Sequence, residues 1–278
     1  VAESALRTKK PLQLPGLAEK YVGKVGSVLI FISVCANSIG CMVAYTTGSG
    51  NILCTLLGLP NWAGSLLFTV PCVLVVWFGL KATGLWEKFM STGMVVLLGI
   101  IVIASFLSGK ADVSRAVYAN WTYAVPLLSS AIFCYIAQYA VPELARGMRH
   151  TPKKLPVAII LGMFITGVLL AVVPLAVLSL TGAEEVTQVA TLAWGQALGT
   201  CALYTANIFA LCAMMTSYWA VGGSMLTNIV DMFKLKDEKD TKTRLIAIAC
   251  TVLPPFILAY AGLVSFVAVS YTHLRAHE

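Results

Sequence analysis

Apolar residues in this chain fall into long blocks separated by short charged segments, not onto one amphipathic face. A block of about 20 apolar residues is what a helix needs to cross a bilayer. Seven runs reach that length: Val25 to Tyr45, Trp62 to Leu80, Phe89 to Leu107, Trp121 to Gly147, Leu155 to Leu180, Ala202 to Asp231 and Leu245 to Ser270. The fourth cannot be one clean helix. It opens on the interfacial pair Trp121 and Tyr123, stays apolar through Phe133, then sets Tyr135, Gln138 and Tyr139 at bilayer depth just ahead of Pro142. Proline has no N–H to donate and its ring crowds the preceding turn, so carbonyls near Gln138 need another donor or an ion. Broken helices at membrane depth usually line a site; a kinked helix whose freed carbonyl is satisfied by neighbours is the alternative. Between the fifth and sixth runs, Glu184 to Gly199 is too short and polar to span and reads as a helix lying on the surface.

Composition agrees. Of 278 residues 59% are hydrophobic and 11% charged, with mean hydropathy +0.86, against roughly 25% charged in a soluble domain. The chain is an all-α polytopic membrane protein in contact with the lipid bilayer. Its net charge of +7 is a topology signal and implies no nucleic-acid partner, because the charges sit between spans. The segment before the first run holds Arg7, Lys9, Lys10, Lys20 and Lys24. Lys81 and Lys88 form the loop after the second; Arg146, Arg149, Lys153 and Lys154 follow the fourth; Lys234, Lys236, Lys239, Lys242 and Arg244 follow the sixth. These are sixteen of the 19 basic residues, all on one side. The other side has Lys110, Arg115, Glu184 and Glu185. The positive-inside rule puts residues 1–24 in the cytoplasm as a loop or amphipathic segment, with 25–270 as the transmembrane domain of a cell (inner) membrane. Residues 271–278 read as a non-native tail, resembling translated read-through, and the opening VAESALRTKK has neither an initiator Met nor an apolar signal region.

Enzyme chemistry finds no footing. His150, His273 and His277 lie at the surface or in that tail, and the eight cysteines form no CxxC pair, which makes them buried thiols and not a metal site or disulfide framework. No cofactor and no obligate protein partner is implied.

Several local patterns resemble one family. LQLPGLAEKYVGKVG resembles the loop before the third helix of the aromatic and hydroxy amino acid permeases (the tryptophan/tyrosine permease family of the amino acid–polyamine–organocation superfamily). AYTTGSGNIL resembles the end of that helix, AMMTSYWAVGGSMLTNIVDMF the eighth and TVLPPFILA the ninth, so the likeness covers Leu12 to Ser270 in order. It implies a partial five-plus-five inverted-repeat transporter fold whose seven spans correspond to helices 3 to 9 of an eleven- or twelve-helix protein. Helices 1, 2 and those after 9 then lie outside this chain, truncated at both ends. Helices 1 and 6 of that fold are unwound at mid-membrane and hold the substrate between them, which makes Trp121 to Gly147 helix 6. Relatives commonly place a glycine where this chain has Tyr135-Ile136-Ala137-Gln138, which leaves the unwound residues open.

The resemblance implies an amino acid substrate, and a carrier must hold ammonium and carboxylate without fixed counter-charges that would slow release. The ends of a broken helix can do this. Phe133, Cys134, Tyr135, Ala137 and Gln138 are the candidates there: backbone for the zwitterion, Phe133 and Tyr135 for the side-chain pocket. Tyr135 and Tyr139 could equally be core aromatics. In the first run Asn37, Cys41 and Tyr45 recur four residues apart, a face that lines the site or serves as interhelical glue. In the sixth, Ala213, Thr216 and Ser217 have the spacing with which sodium-coupled relatives ligate the ion, although Ser and Thr in a span most often bond back to their own helix.

The coupling ion is sodium or proton. No Asp, Glu, Lys or Arg lies mid-span, and Met94 stands near the place where proton-coupled relatives carry a lysine, which tilts the reading to sodium. Glu143, beside Arg146 and Arg149, reads as a cytoplasmic gate pair or a solvated carboxylate. The expected function is secondary active symport of aromatic or other neutral amino acids by alternating access, the alternative being a seven-helix receptor or channel. A receptor would want its N-terminus outside and a channel a repeated pore-lining filter.

Overall fold

The computed structural model describes residues 1–8, 12–78, 80–116, 121–124, 128, 131, 134–135, 138, 140–182, 190–235 and 240–261. Two short helices open the chain, α1 (Ala2–Thr8) and α2 (Leu14–Val22). Pro15 sits in the first turn of α2, where a missing N–H costs nothing. The helix buries Pro15, Leu17 and Ala18, exposes Glu19 and Lys20, and stops at Gly23, whose φ of 90° side-chain-bearing residues avoid.

Among the described residues, six helices are long and apolar enough to cross a membrane. They are α3 (Lys24–Leu57), α4 (Asn61–Phe78), α5 (Leu80–Leu107, apolar from Lys88), α7 (Leu155–Thr181), α9 (Thr200–Met232) and α10 (Thr241–Tyr260). The fourth expected run is not among them. It shows a 3-10 turn at Trp121–Tyr123, turns at Tyr135, Gln138 and Ala140, and a helix α6 only over Val141–Gly147. Pro142 lies in the first turn of α6, so it starts this helix instead of kinking a longer one.

Two boundaries differ from those expected. Helix α3 continues past Tyr45 to Leu57 because its polar residues satisfy themselves: Thr47 donates to the carbonyls of Val43 (3.0 Å) and Ala44 (3.2 Å). The stretch holding Lys81 and Lys88 is helical instead of a loop, since α5 begins at Leu80. Most of that stretch consists of good helix formers.

Helices α3 and α4 form a hairpin closed by Gly58 in the left-handed region (φ 67°). They meet so closely that a Cβ on Gly50 would collide with Asn61 Oδ1 and Ser65 Oγ. Helix α9 runs antiparallel to α3: Phe31 meets Phe233 edge-on at 5.9 Å, Met42 lies against Gly222, and the Ser49 hydroxyl reaches the Met214 sulfur at 3.2 Å. Between α3, α4, α9 and α10 lies the main core, built on Met42, Phe68, Cys72, Tyr218, Trp219 and Ala247. A second core joins Leu98 and Ile101 of α5, Ala176 and Val177 of α7, and Ala206 of α9 around Trp194.

Trp194 belongs to α8 (Ala190–Leu198), which occupies the expected surface-helix stretch yet buries this residue completely. A tight turn at Gly199 (φ 107°) folds α8 onto α9, and a Cβ on Gly195 would strike the Leu203 backbone. The same end of the molecule is strapped by three further contacts. Lys110 Nζ donates to the Ala197 carbonyl (3.2 Å), the Asp112 N–H to the Ser179 carbonyl (2.8 Å), and Arg115 to the Leu180 carbonyl (3.3 Å). The two basic residues off the basic side therefore hold helix C-termini, where unpaired carbonyls carry partial negative charge. At the opposite end α1 packs on α6, and Arg244 donates to the Val76 carbonyl (3.1 Å) near the C-terminus of α4.

Candidate functional site

Among the described residues of the fourth run, Cys134 is helical, and Tyr135, Gln138 and Ala140 are turn residues ahead of α6. The N–H of Tyr135 donates to the Ala131 carbonyl (3.2 Å). Cys134 and Gln138 are exposed, Tyr135 is 36% exposed, and Pro142 is buried. Phe133, Ala137 and Tyr139 lie outside the described residues, as does the side chain of Glu143. The Tyr135 hydroxyl rests against Gly167 of α7, 2.7 Å from where a Cβ on that glycine would be. Gly167 offers no signal in the sequence beyond being a glycine inside an apolar run.

On α3, Asn37 and Tyr45 are half-buried and Cys41 is buried in the main core, with its thiol and the Tyr45 hydroxyl hydrogen-bonded. On α9, Thr216 is buried and donates to the Ala213 carbonyl at 3.0 Å, while Ala213 and Ser217 are half-buried. Bonding back to its own helix is the ordinary behaviour of a membrane threonine. It also leaves two oxygens side by side at a spacing that a hard cation with ligands about 2.3–2.6 Å away can bridge.

Gly222, which meets Met42, is nine residues from Ala213, half a revolution around a helix of about 3.6 residues per turn. Ala213 thus lies on the face of α9 opposite Gly222, while its neighbours Ala210 and Met214 reach Ile52 and Ser49 of α3. The Ala213 stripe runs through Ala206, which packs with Leu98 and Ile101 of α5. Because α5 and α9 are antiparallel, Met94, half-buried two turns before Ile101, lies at the level of Ala213.

Outside the spans, one carboxylate among the described residues, Asp112, is tuned. The Ser114 hydroxyl (2.6 Å) and backbone N–H (3.0 Å) donate to Asp112, and with Arg115 nearby they hold its carboxyl below the ordinary range.

A family model described as the tryptophan/tyrosine permease family matches residues 1–271. No curated protein sequence matches the chain. Nearly the whole length thus carries the family's pattern, on a chain of apolar helices long enough to cross a membrane. The chain belongs to the tryptophan/tyrosine permease family, and so is a multi-pass membrane amino acid transporter and not an enzyme.

Proposed function

We propose that this permease is a secondary active symporter of aromatic or other neutral amino acids, working by alternating access with the two five-helix inverted repeats of its superfamily. The observation that carries the reading is the interrupted segment ahead of α6. Residues 112–115 are tied to the C-terminal end of α7, whereas α6 packs on α1 at the other end of the bundle and leads into the start of α7. In this reading the chain between crosses the bilayer once more, and the turns at Tyr135, Gln138 and Ala140 support a crossing that is not a continuous helix. A crossing of that kind offers unpaired N–H and C=O groups to a zwitterion, with no fixed charge to slow its release.

In this reading the backbone around Cys134, Tyr135, Ala137 and Gln138 holds ammonium and carboxylate, and Phe133 and Tyr135 face the side chain. Asn37 and Cys41 contribute from α3. The basic end, bearing residues 1–24, faces the cytoplasm. The coupling ion is sodium, held by the Ala213 carbonyl and the Thr216 and Ser217 hydroxyls; Met94, at that level, offers no ammonium to take its place. The test is uptake of labelled tryptophan, tyrosine and small neutral amino acids by the full-length permease in proteoliposomes, under sodium or proton gradients. Saturable uptake with counterflow is expected. Flux that never saturates would instead mark a channel.

A further inference from the structure

Gly167 lies near the middle of α7, twelve residues beyond Leu155, or about 18 Å along the helix. A glycine inside a helix weakens it relative to alanine, so a mid-helix glycine asks for a reason. Helix α7 holds two that can be compared. Among the described residues, a methyl group built on Gly162 meets nothing within 4 Å, whereas one built on Gly167 meets the Tyr135 hydroxyl oxygen at 2.7 Å. Room for that oxygen is what the missing side chain provides.

Tyr135 is a turn residue and not a helical one, so a regular helix does not fix the direction of its ring. Contact with α7 does. We propose that Gly167 is a positioning residue for substrate recognition: it seats the Tyr135 hydroxyl against α7 and so holds the phenol ring as one wall of the compartment that receives the substrate side chain. The inference rests on the reading of this segment as the substrate site. A methyl at 167 would meet the oxygen at 2.7 Å, and because the hydroxyl is the far end of a flexible side chain, the ring would shift away from α7, toward the substrate in this reading. Bulky substrates would lose more than small ones.

The test uses the full-length permease and four forms: the parent, Gly167→Ala, Tyr135→Phe and the double variant. Two quantities are read. One is KM for the bulkiest and the smallest amino acid transported. The other is the rate at which a maleimide labels exposed Cys134, identified as the labelling lost in Cys134→Ser. Gly167→Ala should raise KM for the bulkiest substrate about tenfold, the low end of what one methylene-sized misfit costs. KM for the smallest substrate should rise much less, and Cys134 labelling should change. The double variant should return both readouts to the values of Tyr135→Phe, since a phenyl ring lacks the colliding oxygen. An unchanged KM in Gly167→Ala overturns the proposal, as does a raised KM that Tyr135→Phe does not relieve. If labelling shifts and is relieved while KM stays put, Tyr135 is seated as described but faces no substrate, and the proposal is equally overturned. A parent that carries no amino acid would sink the transport reading, and this proposal with it.

Discussion

Trp194 of α8 donates its indole N–H to the hydroxyl of Ser105 on α5 at 2.7 Å, with both residues fully buried. The Ser105 hydroxyl in turn donates a hydrogen bond to the Ile101 carbonyl at 2.8 Å, so one hydroxyl fastens a short helix to a long one. Ser105→Ala removes the acceptor and leaves a buried N–H unpaired. The expected cost is about 0.6 to 1.7 kcal/mol, the range for hydrogen bonds inside membrane proteins. Thermal unfolding in detergent should show a lowered midpoint, and an unchanged midpoint would mean that the bond contributes nothing.

Helices α3 and α4 should tolerate no added methyl where they cross. A Cβ on Gly64 would lie 2.9 Å from the Gly50 carbonyl oxygen and 3.3 Å from its Cα, backbone atoms that cannot swing away. Gly64→Ala should therefore destabilise by roughly 1–3 kcal/mol, the usual cost of overpacking. Gly162→Ala, in open space, should be neutral or stabilising by up to about 1 kcal/mol. Comparing the two by the same unfolding assay separates tight packing from a general dislike of alanine.

The strap at residues 112–116 should resist acid. Hydrogen bonds from Ser114, and Arg115 beside it, lower the Asp112 carboxyl from its ordinary 3.8, so the folded form favours the charged state. Stabilisation of this kind is fully present above the unfolded value and is lost as pH falls through the lowered folded one. Amide exchange at Ser114 should stay slow through mildly acidic pH and rise only below about 3.8. Asp112→Ala should raise it at neutral pH. A rise already beginning near neutrality would show that another group controls the strap.

Coupling to sodium is tested at Thr216 and Ser217. Thr216→Val with Ser217→Ala keeps approximate volume and removes both hydroxyl ligands, while the one hydrogen bond lost, to Ala213, is worth on the order of 0.6 kcal/mol. Protein abundance should hold, and the sodium concentration for half-maximal uptake by the full-length permease should rise severalfold. Normal transport by this variant, with a parent that follows pH and ignores sodium, would make the hydroxyls structural and the protein a proton symporter.

Which stretches become apolar helices is legible in the sequence, because the preference of about 20 consecutive apolar residues for a bilayer depends on local composition alone. Among the described residues, six of the seven runs contain such helices. The start of α6 at Val141, with Pro142 in its first turn, is legible for the same reason: proline's fixed φ and missing donor act on its own neighbours. The amphipathic α2 and the short α8 also follow from local pattern. Tertiary structure alone decided how these pieces face one another. No feature of the residues tells that Met214 would reach Ser49 of α3, that Lys110 and Arg115 would hold helix ends, or that Trp194 would find Ser105 across 89 positions of sequence. Nor does any local feature pair Tyr135 with Gly167. Such contacts depend on helix rotation and depth, which are set by close packing among several helices at once, so that a residue's partner is fixed by the whole bundle and not by its neighbours in the chain.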